Sequence, residues 1–276
     1  MPSDIQFIDA TAARSHGYVP SADFRFAQQQ PAIPVHLSEL SALVPTLPMA
    51  LAKLPGGQFM LVAVAGFADG RNQLVDDNGR WGGLHVPNEL RAYPFSVQPM
   101  AASAEGSQSF GVCFNHASGL YRDAPDFGRG ELRFFNDEGQ PQPQFQQVTQ
   151  QLQRNVTLLR QTQNAVRLLQ EAELLTPWQI QPRNGHPQET LPAGLFRVDE
   201  ARLNALRGEA LERLHAGHAL GLAYAQLFSM SRIVVLQRLK DGHAARRKAA
   251  APDPAIVQKL FEPGANAMGD TIKFNF

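Results

Sequence analysis

The stretch from Asn72 to Phe95 constrains this chain more than any other. It reads Asn-Gln-Leu-Val-Asp-Asp-Asn-Gly-Arg-Trp-Gly-Gly-Leu-His-Val-Pro-Asn-Glu-Leu-Arg-Ala-Tyr-Pro-Phe, and it follows the most apolar run in the sequence, Phe59 to Phe67. Asn78-Gly79 supplies the positive φ angles of a tight hairpin turn, and Asp76 and Asp77 can accept hydrogen bonds from nearby amides. A calcium loop would need alternating acidic positions and a distal glutamate, which this stretch lacks. Gly82 and Gly83 let the chain bend beneath Trp81. Leu84 to Val86 is then expected to resume a strand, Pro87 to start a helical turn through Leu90, and Pro94 to stop it. Arg91 and Tyr93 project from the resulting short corner. The spacing predicts that a buried β ribbon brings the acidic bend and the aromatic corner together.

The flanking sequence divides by period. Ile33 to Leu37 reads as an extended edge segment, and Ser38-x-x-Ser41 opens a short helical turn that ends near Pro45. Phe59 to Ala65 reads as a strand buried on both faces, with the segment around Leu74 and Val75 as its expected neighbour. Phe95 to Met100 and Phe110 to Phe114 alternate as sheet strands, with Phe110, Val112 and Phe114 on one face and Cys113 on the other. Leu132 to Phe135 is the last apolar patch of this half, before Asn136-Asp137-Glu138-Gly139.

Composition changes at Gln140. Ten glutamines fall between there and Gln163, yet Phe145, Val148, Leu152, Val156 and Leu159 recur at three- and four-residue steps and continue to Val166 and Leu169. That spacing predicts a long amphipathic helix ended by Thr176-Pro177, with Gln163 in the apolar stripe. A face of neutral amides can meet a partner without desolvating charge, so a homo-oligomer through this helix is one expectation. Trp178 to Ile180 and Gly194 to Val198 read as two short strands flanking a loop that contains His186. Asp199 and Glu200 are an N-cap and a first-turn acid. Leu220 to Leu239 is expected to be the most buried helix, His243 to Pro254 a linker, and the apolar-rich 256–276 a docked tail.

The expected fold is therefore α+β. A β-rich half, 1–139, carries a central hairpin and packs against a mainly helical half, 140–240; residues 241–276 form a linker and tail. The 25 basic and 25 acidic side chains cancel, which leaves no net field for nucleic acid or anionic lipid. One cysteine excludes an internal disulfide and a cysteine-rich zinc site. No run approaches the ~20 apolar residues of a membrane helix, and a signal-peptide pattern is missing. The cytoplasm is the expected compartment, with export independent of a signal peptide left open.

Chemistry-bearing clusters are few. Cys113 would need His116 as a base, and nothing local lowers its pKa, so a structural thiol is expected. The Asp199-Glu200 pair is explained by capping. Glu209, Glu212, His215 and His218 recur every three residues, but a di-iron bundle needs a second Glu-x-x-His motif on another helix. No catalytic residue, cofactor or metal is predicted.

The residues from Asn72 through Asp77-Asn78-Gly79-Arg80-Trp81, then Val86-Pro87 and Leu90-Arg91-Ala92-Tyr93-Pro94-Phe95, resemble the signature of the SapC-like family of bacterial proteins. Gly194 to Glu200 with Leu203 and Leu206, and the helix Ala219 to Leu236, resemble that family's second half. His85 stands where the family's usual aromatic precedes the Val-Pro step, and the glutamine-rich helix and the tail beyond 245 lie outside the pattern. The resemblance covers roughly residues 15 to 240. The family takes its name from a protein encoded with surface-layer genes, and members also occur beside flavin-dependent tryptophan-halogenase-like genes. No catalytic residues carry over.

Two functions fit these readings. One is a non-enzymatic accessory protein whose corner, formed by Asp77, Trp81, His85, Arg91 and Tyr93, contacts a peptide or protein partner, surface-layer polypeptides among them. The other is an enzyme or enzyme partner acting with halogenase-like proteins, in which Arg91 pairs with a carboxylate and Tyr93 donates a hydrogen bond.

Overall fold

A computed structural model describes residues 4–100, 109–180 and 189–250. The fold is α+β, with its sheets in the N-terminal two-thirds and helices towards the C-terminus. In chain order the strands are β1 (Ile5–Phe7), β2 (Gly17–Tyr18), β3 (Ala32–Pro34), β4 (Met49–Lys53), β5 (Phe59–Val64), β6 (Phe95–Pro99), β7 (Phe110–Asn115), β8 (Tyr121–Arg122), β9 (Leu132–Arg133), β10 (Leu175–Pro177) and β11 (Leu195–Val198). The α-helices are α1 (Leu40–Leu43), α2 (Asn88–Ala92), α3 (Pro143–Glu171), α4 (Glu200–Ala205), α5 (Gly208–Ala216), α6 (Ala219–Ser229) and α7 (Ile233–Ala250).

Three antiparallel sheets result: β10-β11-β4-β5-β3, β1-β7-β6 and β8-β2-β9. The apolar run is indeed a strand with a partner on each side, but those partners are β3 and β4 rather than the Leu74–Val75 segment. β4 is invisible in the sequence because prolines 45 and 48 precede a run of only five residues. Its register, Met49 opposite Ala63 through Lys53 opposite Phe59, is fixed by a tight turn at Pro55-Gly56-Gly57.

Two hydrophobic cores form. One lies on the five-stranded sheet and includes Ile33, Leu51, Leu61 and Val64. The other is aromatic and gathers Tyr18, Phe95, Phe114, Phe134 and Phe145. The long helix α3 belongs to both: Phe145 and Leu152 enter the aromatic core, whereas Ala165, Val166 and Leu169 cover the sheet. Its buried stripe departs from the predicted one. Leu159 is exposed and Asn155 and Thr162 are buried, because Thr162 Oγ1 accepts from Leu37 N at 3.0 Å while donating to Leu158 O at 2.7 Å. Gln163 donates to Phe59 O at 2.8 Å, so this amide ties the helix to β5.

Other expectations shift by a few residues. α3 ends at Glu171, and the strand expected at Trp178 is Leu175–Pro177. Leu84 to Val86 is a bent loop, not a strand. By packing the chain separates into two units, Met1–Leu239 and Lys240–Phe276. Residues 243–250, expected as linker, are helical, in keeping with the strong helix propensity of alanine, arginine and lysine. The proposed tail and His186 lie outside the described residues.

α6 supplies Leu222 and Ala223 to the sheet core and is stitched to it by polar groups. Fully buried Gln226 donates to Met49 O at 3.0 Å and accepts from Val198 N at 2.9 Å, and Ser229 Oγ accepts from Met49 N at 2.9 Å. The stretch Ala219–Ala249 meets the length and hydropathy of a membrane span by composition alone, with 33% of its apolar window buried inside the protein. Replacing Gln226→Leu leaves a strand carbonyl and a strand amide without partners. It should lower unfolding stability by about 2–4 kcal/mol in a urea titration, and a loss under 1 kcal/mol would contradict this role.

Candidate functional site

The acidic bend forms as its sequence requires. Asp76 Oδ1 accepts from Asn78 N at 2.9 Å and Arg80 N at 2.8 Å, and Gly79 has φ +80°. A Cβ at Gly79 would also fall 2.1 Å from Asp23 Oδ1, so glycine is required twice over. Around the bend the pairing is a single bridge, Val75 to Trp81, rather than a ribbon.

A short turn at residues 24–28 supplies the connection instead. Phe24 N donates to Gly79 O at 2.8 Å, Gln28 Nε2 to Asp76 O at 2.9 Å, and buried Asn72 Nδ2 to Ala27 O at 3.2 Å. These bonds set two phenylalanines between the bend and the corner. The Trp81 and Phe24 ring centroids are 5.8 Å apart, Phe24 and Phe26 are 6.1 Å apart, and Phe26 stacks on Tyr93 at 3.7 Å with planes 8° from parallel. Phe24-x-Phe26 lies among polar residues and prolines with no period to reveal it.

A buried carboxylate fixes the approach to the corner. Glu39, 3% exposed, accepts from His36 N at 3.0 Å, from Asn88 N at 2.9 Å, and sits 2.8 Å from His85 Nε2. Fully buried His36 lies between two acids, 3.5 Å from Glu39 and 3.3 Å from Glu89. Trp81 Nε1 donates to His85 O at 2.9 Å, so His85 and Trp81 hold the bent loop against the body. α2 then starts at Asn88, sends Leu90 into the sheet core and Ala92 into the aromatic core, and is followed by Tyr93, whose bond to Pro94 is cis.

Beside this corner opens a cleft of 580 Å³. Arg91 and Tyr93 line one part of it, and Gln144, Gln147, Gln151 and Arg154 of α3 line another. No acidic side chain lines it, and neither arginine is in an ion pair among the described residues. Arg91 Nε is held by Val86 O at 2.9 Å, which steers the guanidinium from its base. Burial pushes the Tyr93 phenol up, and a side-chain hydrogen bond with Ser118 opposes that rise. Tyr93 thus stays a neutral donor at ordinary pH.

The cleft does not stand alone. A 510 Å³ depression follows it along α3 and shares Arg154; a third, of 710 Å³, shares Leu158 and Gln161 with the second. The third is lined by Leu40, Leu220 and Tyr224, with His215 and His218 beside them. Together the three depressions run along one side of α3 from Gln144 to Gln161, about 26 Å at the helical rise.

Of the five residues expected at a binding corner, Arg91 and Tyr93 meet at the cleft. Trp81 joins them only through the two phenylalanines, and His85 faces inward to Glu39. Asp77 stands on the exposed tip of the bend, paired with Arg71 and not among the cleft-lining residues. Phe24, Phe26, Glu39 and Arg154 are the residues the sequence did not single out; the glutamines of α3 were expected as a face for a partner, not as the wall of a cleft. Cys113 is fully buried, and burial raises its thiol pKa, as a structural thiol requires. Asp199 Oδ1 caps α4 by accepting from Arg202 N at 3.1 Å. Among the described residues no group of three or more histidine, cysteine or acidic side chains is arranged to hold a metal ion, Glu209, Glu212, His215 and His218 included.

The small sheet β8-β2-β9 backs the cleft through Tyr18 and Leu132. Glu131, beside β9, is held below the usual carboxylate range by the Asp126 amide first and the Arg122 guanidinium second. A depressed carboxylate stabilises the fold above its unfolded pKa, and that contribution is lost as pH falls through the lower folded value. The melting-temperature gap between wild type and Glu131→Gln should therefore be largest near neutrality and shrink as pH drops below about 4; a gap independent of pH would contradict it. Glu39→Leu should cost roughly 3–5 kcal/mol in urea unfolding, since it strands two amides and an imidazole, and a cost under 1 kcal/mol would remove Glu39 as the tie.

Comparison with curated proteins and with solved structures gives no match. The SapC family profile matches residues 9–236, from just after β1 to the first residues of α7 and including the glutamine-rich helix. A match over that much of the sequence, covering both the bend and corner and the α3 wall that faces them, places this protein in the SapC family.

Proposed function

We propose that this protein is a non-enzymatic accessory protein that holds an extended peptide segment of a partner along α3. The observation that carries the reading is the row of three adjoining depressions from Arg91 and Tyr93 to Tyr224. A length of about 26 Å accommodates about eight residues of extended peptide. Its walls suit a peptide. Glutamine amides both donate and accept, so they can pair with main-chain groups, and leucine, tyrosine and proline rings receive side chains. The corner is braced by Glu39 and by the stacked rings, which lowers the ordering cost of binding. A surface-layer or other secreted polypeptide fits this role.

A second reading, an enzyme or a partner of halogenase-like enzymes, has one observation in its favour. The Glu39 carboxylate lies 2.8 Å from His85 Nε2, the pairing that orients an imidazole in acid–base catalysis, and His85 also lines a 220 Å³ apolar cavity. A small molecule that co-purifies with the protein and is released on denaturation, lost in His85→Asn, would favour this reading.

The peptide reading is tested by panning displayed random dodecapeptides against the purified protein. Enriched peptides should bind at least about tenfold more weakly to Gln147→Trp or Thr157→Trp, which fill the first and second depressions, and within about twofold of wild type to Arg129→Ala, outside the groove. Equal binding to all four proteins, or no enrichment, overturns it.

A further inference from the structure

Building on the peptide-binding reading, we infer that the groove selects an acidic segment of defined polarity: a carboxylate at the Arg91–Arg154 end and, about three residues further on, a bulky apolar side chain at the Tyr224 end. Two independent observations support this polarity. The first is charge. Three depressions contain two arginines and two histidines and no aspartate or glutamate, in a protein whose 25 acids balance its 25 bases. Arg91 and Arg154 are not ion-paired among the described residues, although each lies on a helix that faces the same cleft. A guanidinium presents its donors in a fork that matches a carboxylate, so a cleft lined by two of them and by no acid suits an aspartate, a glutamate or a free terminal carboxylate.

The second observation is the change of lining along α3. Amides dominate beside Arg154, where Gln144, Gln147 and Gln151 stand on successive turns. Beyond Leu158 the lining turns apolar, with Leu37, Leu40, Leu220 and Leu222 around Tyr224. Tyr224 is 37% exposed and stacks with Phe228, 66% exposed, at 6.0 Å, which leaves an aromatic surface at the end of the groove. From Arg154 to Gln161 the helix rises about 10 Å, the span of about three extended residues. An acidic residue held at Arg154 thus places the residue about three positions along beside Gln161 and Tyr224.

The dodecapeptides enriched by panning give the test. They should contain aspartate or glutamate followed about three positions later by leucine, phenylalanine, tyrosine or tryptophan. Synthetic versions carrying asparagine or glutamine at the acidic position should bind wild type at least about tenfold more weakly. The double variant Arg91→Gln/Arg154→Gln should lose that preference and bind both versions alike. Charge reversal, Arg91→Glu/Arg154→Glu, should instead favour peptides with lysine at that position, a gain that misfolding cannot produce. Enriched peptides that are blocked by Gln147→Trp but bind equally with or without the acid overturn the inference and leave the peptide reading standing. Failure to enrich any peptide overturns both.

Discussion

A single buried carboxylate sets the geometry on which the rest depends. Glu39 leaves the edge of the five-stranded sheet and accepts hydrogen bonds from a backbone amide before it in sequence and from Asn88 almost fifty residues later, with the His85 ring at hydrogen-bond distance. An isolated carboxylate at 3% exposure is costly, and donors on several sides offset that cost only while the loop stays in place. Because those donors belong to the segment just before α2, the same bonds fix where that helix starts. Everything that α2 presents, Arg91 and Tyr93 included, inherits its position from Glu39 and from the stacked rings of Phe24 and Phe26.

α2 and α3 share a second device. The bend before α2 has a counterpart before α3: Asn136 Oδ1 accepts from Glu138 N at 3.1 Å and Gln140 N at 2.7 Å, as Asp76 does from Asn78 and Arg80. Gly139 has φ +81°, matching +80° at Gly79, and the flanking bridges are Phe135 to Pro141 and Val75 to Trp81. Two copies of one turn therefore deliver the two helices that line the cleft. Each helix also reaches into both cores, α2 with Leu90 and Ala92 and α3 with Leu169 and Phe145. The groove thus lies where the two cores meet, and residues that hold the cores together also shape its floor.

The sequence revealed what local rules govern. Asp76 to Gly79, the Pro87 start and Pro94 stop of α2, the Asp199 cap and the helical run of α3 all follow from turn chemistry and helical period. The joint between bend and corner was not legible, since Phe24 and Phe26 act through contacts some fifty to seventy residues away and show no periodicity of their own. Thr162 broke the apolar stripe of α3 because its hydroxyl accepts from the Leu37 amide, a partner that only the folded protein supplies, whereas buried Asn155 accepts from Gln151 of the same helix. β4 escaped notice for a similar reason: its strand character comes from pairing with β5 and β11, against the prolines at its start. Of the site, the corner was legible, and the glutamines of α3 were legible as a face that could meet a partner; that they form the wall of a cleft opposite the corner was not, because the period of a helix does not say what stands across from it.

Held in this way, the corner is a preformed part of the body rather than a loop that orders on binding. Native-state hydrogen exchange of the amides from Asn88 to Phe95, followed as urea is raised, tests that most directly. These amides should exchange only through openings that also release β4 and β5, with free energies close to that of global unfolding. Exchange of the corner at several kcal/mol below that limit, while β4 and β5 remain protected, would contradict it.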